Sequence, residues 1–305
     1  MIWLGLSFMK QKQTQTDKRK TNPLLLPVTL LIFAAGAGIF LYPAASNFLA
    51  ERSQQETIRT YHAKVVNMDQ EEIDSAWEQA REYNENLTGD PVHDPFVIGS
   101  GYVLPDNYES VLNINGDGVM GEIEIPKIDV DLPIYHGTSE EVLQKGAGHL
   151  EMTALPVGGE NCHSVLSAHR GLPSAELFTR LDEMETGDEF YIHVLDKTLA
   201  YEVDQIAVIE PEEISLLQPE EGKDMVTLLT CTPYAVNTHR LLVRGSRVPF
   251  EEAKEVDAQA AKSHESLWAG EYLRAVLIGF VLLAVVIGAV LVCRHRRRRQ
   301  TRKRK

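Results

Sequence analysis

The sequence predicts a mainly β domain, a closed barrel or a sandwich with short helices, preceded by an N-terminal helical segment and flanked by two transmembrane helices. Three observations carry this expectation. Short runs rich in β-branched residues, with turn residues between them, fill positions 121–248. Apolar residues recur at helical spacing across 48–87. Two uncharged runs, 24–42 and 275–293, are each long enough to cross a hydrocarbon core about 30 Å thick.

Residues 1–23 read as a cytoplasmic N-terminus, 24–42 as a signal anchor, 273–293 as a second membrane helix and 294–305 as a basic cytoplasmic tail. Lys10, Lys12, Lys18, Arg19 and Lys20 precede the first span and "RHRRRRQTRKRK" follows the second. The positive-inside rule therefore puts both termini in the cytoplasm and the chain between the spans outside. Small residues at 44–46 give a weak cleavage-like site, and the first span is read as uncleaved. The two ends hold 14 of the 30 Lys and Arg and one of the 44 Asp and Glu, leaving 16 basic and 43 acidic residues between them, net −27. An ectodomain that acidic excludes nucleic acid as a partner, and a basic tail directly after a span reads as a topology signal in contact with anionic lipid. With Cys293 at the edge of the second span, the exported part holds only Cys162 and Cys231, too few for a disulfide-dependent fold.

Residues 43–87 read as a helical stalk of two helices joined near Asn67. Ile58, Tyr61, Val65 and Met68 share one face, Ile73, Trp77 and Ala80 another, and Asp69 with Glu72 forms a capping box. Residues 88–118 form a long loop and linker, 119–250 the β domain and 251–272 a second linker. Within the β domain "GEIEIPKIDVDLPIYHG", "HSVLSAH", "EFYIHVL", "LAYEVDQIAVIEP", "MVTLLT" and "RLLVRGSRV" are the strand runs. One helix is expected at "SAELFTRLDEM", with Ser174 as N-cap, Leu177, Phe178, Leu181 and Met184 on one face and Gly187 beyond its end. "NINGDGVMGEIE" matches a calcium-loop pattern at Asn115, Asp117, Gly118 and Glu124, but Asn113 stands where Asp is wanted and a strand begins inside it. It reads as a turn.

The stretch "TLLTCTPYAVNTHRLLVRG", 227–245, carries the chemistry. Cys231 ends one apolar run and Arg240 opens the next, so a hairpin between them sets the two face to face on strands about 4.8 Å apart. A guanidinium beside a thiol favours the thiolate and holds a developing oxyanion. Taken alone, the same residues equally describe a buried Cys and a surface Arg on an ordinary hairpin. A nucleophilic Cys needs a His to move protons, and spacing does not choose among His62, His93, His136, His149, His163, His169, His193, His239 and His264.

The same stretch resembles the TLxTC-to-Arg signature of sortases, and "TPYAVNTHRLLVRG" is similar to its form in class C, the pilin-polymerising transpeptidases. "LPVGGENCHSVLSAHRGLPSAELFTRLDEMETGDEFYI" resembles the family segment bearing the catalytic His, which falls on His169, and "GEIEIPKIDVDLPIYHG" resembles its opening strand. The likeness spans roughly residues 55–250. It implies a closed eight-stranded sortase-type β-barrel in which Cys231, His169 and Arg240 converge on one groove. "DPF" at Asp94, Pro95 and Phe96 is similar to the class C lid motif, and the second span with its basic tail also fits that class; Cys162 beside His163 departs from the pattern. The resemblance further implies a membrane enzyme of a Gram-positive bacterium that cleaves an LPXTG-type signal and passes the acyl group to a lysine of another pilin subunit. No metal or cofactor is implied. The alternative is a housekeeping sortase that anchors surface proteins to peptidoglycan.

Overall fold

The computed structural model describes residues 25–87 and 106–250, together with position 279. Eight strands close into a barrel: β1 (Val119–Ile125), β2 (Val130–His136), β3 (Ala147–His149), β4 (Cys162–Ser167), β5 (Glu189–Val194), β6 (Lys197–Ile209), β7 (Asp224–Thr232) and β8 (His239–Val248). Their order around the barrel is β1-β2-β3-β4-β7-β8-β6-β5. Closure decides between the two architectures that the strand pattern left open. β2 pairs β3 and β4 pairs β7 in parallel, and the other pairings are antiparallel. Alternation along each strand turns Ile123, Ile134, Leu166, Leu228 and Val243 into one fully buried core. The expected runs fall on seven of these strands. β3, "AGH", has no β-branched residue to announce it.

Two helices precede the barrel, α1 (Leu25–Val66) and α2 (Gln70–Asn86). The N-terminal part of α1 is long and apolar enough to cross a membrane, and Leu31, Ile32, Ile39 and Phe40 on it are exposed. The apolar run and the first stalk helix form one continuous helix that passes through Pro43. The second expected span, 273–293, lies outside the described residues except for position 279.

The lower part of α1 is held by tertiary contacts. Ile58, Tyr61 and Val65 are buried, and the Tyr61 hydroxyl donates to Met120 O (3.2 Å) and accepts from Leu195 N (2.8 Å). At the turn, Asp69 accepts from Glu72 N and the Glu72 carboxylate accepts from Asp69 N, so the capping box starts α2. Ile73, Trp77, Ala80 and Tyr83 then face the barrel, and Trp77 Nε1 donates to Asp196 Oδ1 at 2.8 Å. A short helix is marginal by itself in water, and burying this face supplies what propensity does not.

The helix expected at 174–184 does not form; turns and a 3₁₀ turn at Leu181–Glu183 replace it. Leu177, at φ 45°, has left the helical region, and the backbone groups are taken by distant partners. Phe178 N donates to His169 O and Glu176 N to Asn47 Oδ1. The apolar pattern was a true record of burial, since Leu177, Phe178, Leu181 and Met184 are all buried. At the calcium-like stretch, the Asn113 and Asp117 side chains accept from Gly118 N and Val119 N, and Glu124 of β1 pairs with His193 of β5.

Candidate active site

Three strands build the candidate site. Cys231, one residue before the end of β7, pairs directly with Arg240 in β8, and Arg240 pairs in turn with Ile209 of β6. His169 lies two residues past the end of β4. The parallel β4–β7 register runs from Cys162 opposite Asp224 to Ser167 opposite Leu229, and continuing it brings His169 level with Cys231. Bonds on the intervening residue hold that continuation: Ala168 N donates to Leu229 O (3.2 Å) and Thr230 Oγ1 donates to Ala168 O (2.8 Å). His169, Cys231 and Arg240 thus form one row across β4, β7 and β8.

The row lies on one face of the sheet by the two-residue period. Val165, Leu229 and Leu242, two or four residues back along the same strands, form with Leu150 and Leu217 an apolar cluster outside the barrel core. The site therefore sits at the end of a second, buried apolar cluster on the outer face of the sheet. Cys231 is 7% and Arg240 6% exposed, which shields both from bulk water. Arg240 Nη1 donates to Asn237 O (3.3 Å) and His239 O (3.1 Å), so the β7–β8 loop fixes the guanidinium from its own backbone. His169 Nε2 lies 3.4 Å from Glu140 Oε2, on the short helix α3 (Glu140–Leu143). Glu140 was not singled out from the sequence, and a lone Glu in an acidic chain carries no signal for the role. An immobile cation, an imidazole and a thiol at one end of a barrel can stabilise an oxyanion, move a proton and form a covalent bond.

The remaining histidines in the described residues have structural partners. His149 is fully buried between Tyr108 OH, at Nδ1, and Ala154 O, at Nε2, and burial pushes its pKa down to about 4. His136 lies between Gly118 O and Val111 O, and His163 between Gln218 O and Thr227 Oγ1. His62, His193 and His239 pair with Glu122, Glu124 and Glu210. His93 and His264 lie outside the described residues, as do Asp94, Pro95 and Phe96.

Cys162 and Cys231 are not joined in a disulfide. Cys162 begins β4 opposite Asp224, seven residues before Cys231 and so about 23 Å from it at roughly 3.3 Å per residue. Burial and then Asp224 push its pKa up, away from the thiolate. Among the described residues no group of three or more His, Cys, Asp or Glu could hold a metal ion.

Comparison with known proteins follows the same residues. The Sortase domain family matches residues 123–248. Sortase D of Bacillus subtilis is 32% identical over 131 residues, 42% of this chain; the chain spans 63% of that relative's length. The crystal structure of Streptococcus pneumoniae Sortase C, described with respect to catalysis and pilin substrate specificity, is 49% identical. It aligns with a TM-score of 0.60 over 64% of this chain and 97% of that one. Streptococcus agalactiae Sortase C1 is 46% identical, with a TM-score of 0.58 over 64% and 95%.

Proposed function

This chain belongs to the sortase family, with class C enzymes as its structural neighbours, and on that premise we propose that it is a cysteine transpeptidase that links pilin subunits through isopeptide bonds. The observation that carries the reading is the row of His169, Cys231 and Arg240 on one outward face of three adjacent strands.

Cys231 Sγ, as the thiolate, adds to the Thr carbonyl carbon of an LPXTG-type sorting signal. Arg240 holds the oxyanion that forms. Collapse breaks the Thr–Gly bond, His169 gives its proton to the leaving Gly amine, and a thioester remains on Cys231. The Nζ of an acceptor lysine on a second pilin then attacks the thioester and passes a proton to His169. Cys231 leaves as thiolate and an isopeptide bond is made. One amide replaces another through an energy-conserving thioester, so the cycle balances without a nucleotide or a metal.

Membrane attachment through the apolar part of α1 places this chemistry near the bilayer. The basic residues outside both apolar runs support two spans, cytoplasmic termini and a catalytic barrel facing out from the membrane of a Gram-positive cell. Asp94, Pro95 and Phe96 act in this reading as a displaceable lid, Phe96 over the thiol and Asp94 toward Arg240.

The test incubates the full-length chain in detergent with pilin subunits bearing an LPXTG signal. Ladders that survive boiling in detergent, and their absence with Cys231→Ala, are the expected result. If a peptidoglycan precursor resolves the thioester and pilin lysines do not, the housekeeping alternative replaces this one.

A further inference from the structure

Directly beyond the row of His169, Cys231 and Arg240 runs a second row that the mechanism does not use. Arg170 follows His169, Thr232 follows Cys231, and the Arg170 guanidinium joins them: Nη1 donates to Thr232 Oγ1 at 3.0 Å. The same side chain reaches two further points, with Nε donating to Thr179 O (3.2 Å) and Nη2 to Asp182 Oδ2 (2.5 Å). It is 8% exposed, unlike the half-exposed Asp182. Withdrawing a guanidinium from water is costly unless its geometry is well satisfied, and here three acceptors on two chain segments, the loop at Thr179 and Asp182 and the end of β7 at Thr232, satisfy it.

We propose that Arg170 is a positioning residue for the transpeptidation, bolting the loop that carries His169 to the residue beside the nucleophile and so setting the distance from His169 to Cys231. The inference rests on the assignment of His169 and Cys231 made above.

The strand ladder shows why such a bolt is needed. The last β4–β7 pair is Ser167 with Leu229, and Ala168 still bonds to Leu229 and Thr230. The proposed base and nucleophile lie just past that point. The Arg170–Thr232 bond falls where the next cross-strand rung would be, one residue beyond them. The rest of the loop is stiffened from within. Phe178 N donates to His169 O (3.1 Å) and Gly171 N to Thr179 Oγ1 (3.0 Å). Gly171, at φ +80°, also lies against Tyr234 of the β7–β8 loop, so closely that a Cβ there would come within 2.9 Å of the ring. Arg170 ties this stiff loop to β7 beyond His169. Freed of it, the loop could shift His169 relative to the thioester carbon while every catalytic group remained present.

The experiment uses the full-length chain in detergent and a soluble peptide carrying the sorting signal. It measures kcat and KM, the mass of the Cys231 adduct and the thermal midpoint for Arg170→Ala, Arg170→Lys, Thr232→Val, Thr232→Ser and the Arg170→Ala/Thr232→Val pair. A misplacement of about 1 Å can cost on the order of 100-fold, so Arg170→Ala and Thr232→Val are each expected to lower kcat by about 10- to 100-fold with KM nearly unchanged. Thr232→Ser, which keeps the hydroxyl, should restore turnover, and the double variant should be no slower than Arg170→Ala, because one bond is lost in both. Thr232→Val removes only the acceptor and keeps the side-chain shape, so it tests the idea even if Arg170→Ala fails to fold. An unaltered chain that acylates Cys231, together with Thr232→Val at full kcat, overturns this inference alone. Failure of the unaltered chain to acylate Cys231 overturns the assignment beneath it as well.

Discussion

Replacing Arg240 with Lys separates what this side chain does for the fold from what it does for the reaction. Arg240 is 6% exposed, pairs across the strands with Cys231, and has its Nη1 on two loop carbonyls, Asn237 O and His239 O. Lys keeps the charge but is a compact ammonium without the planar fork, so it cannot hold the loop and also aim donors at the thiol. For the fold, the Lys ammonium can keep one of the two loop bonds, and losing the other costs about 1.5–3 kcal/mol for a charged donor, against a typical reserve of about 5–15 kcal/mol. The protein stays folded. For the reaction, losing a fixed oxyanion donor costs about 10²- to 10³-fold in rate, or roughly 3–4 kcal/mol. Catalysis should therefore fail long before stability does. The assay mixes the full-length variant with a sorting-signal peptide and follows the Cys231 thioester by mass spectrometry in single turnover, with a thermal melt alongside. Acylation within about five-fold of the unaltered chain, a change worth only about 1 kcal/mol, would refute the role given to Arg240.

The thioester should map to Cys231 by peptide mass; Cys231→Ala should abolish it and Cys162→Ser leave it nearly intact, and an adduct on Cys162 would reverse the assignment. His149 stays neutral in its buried site down to about pH 4, whereas it takes a proton near 6.5 when unfolded, so its contribution to stability is complete above 6.5 and falls away between 6.5 and 4. The shift corresponds to roughly 3 kcal/mol. The Glu122 carboxyl, pushed up to about 8 mainly by burial, acts with the opposite sign, its contribution being lost as pH rises through 8. The informative quantity is therefore the difference between the unaltered chain and His149→Gln in denaturant unfolding. The slope of stability against pH between 4 and 6.5 should flatten in His149→Gln, and equal slopes would show that His149 is not the group responsible. Phe96→Ala with Asp94→Ala should speed labelling of Cys231 by a thiol reagent, because removing a lid that substrate can displace uncovers the thiol. An unchanged labelling rate would remove the lid from the site.

The sequence alone determined the features whose physics is local. The Asp69–Glu72 box and the 3.6-residue spacing of Ile58, Tyr61 and Val65 marked the two helices, since capping and one-sided burial act within a turn or two. The β-branched runs marked the strands around the barrel. The eight residues between Cys231 and Arg240 made a hairpin setting thiol against guanidinium an expectation, and the antiparallel β7–β8 register bears it out. Tertiary structure decided what depends on residues far apart in the chain. Spacing could not single out His169 among the histidines; its level beside Cys231 comes from a parallel pairing of β4 with β7, strands joined by some 56 residues of other structure. The segment 174–184 has a helix's apolar pattern, yet Phe178 N, which would close the first helical turn on Ser174 O, donates to His169 O, while Ser174 O accepts from Ser46 Oγ. β3 is defined by its pairing with β2 on one side and β4 on the other, and Glu140 and Arg170 meet their partners only once the barrel has closed.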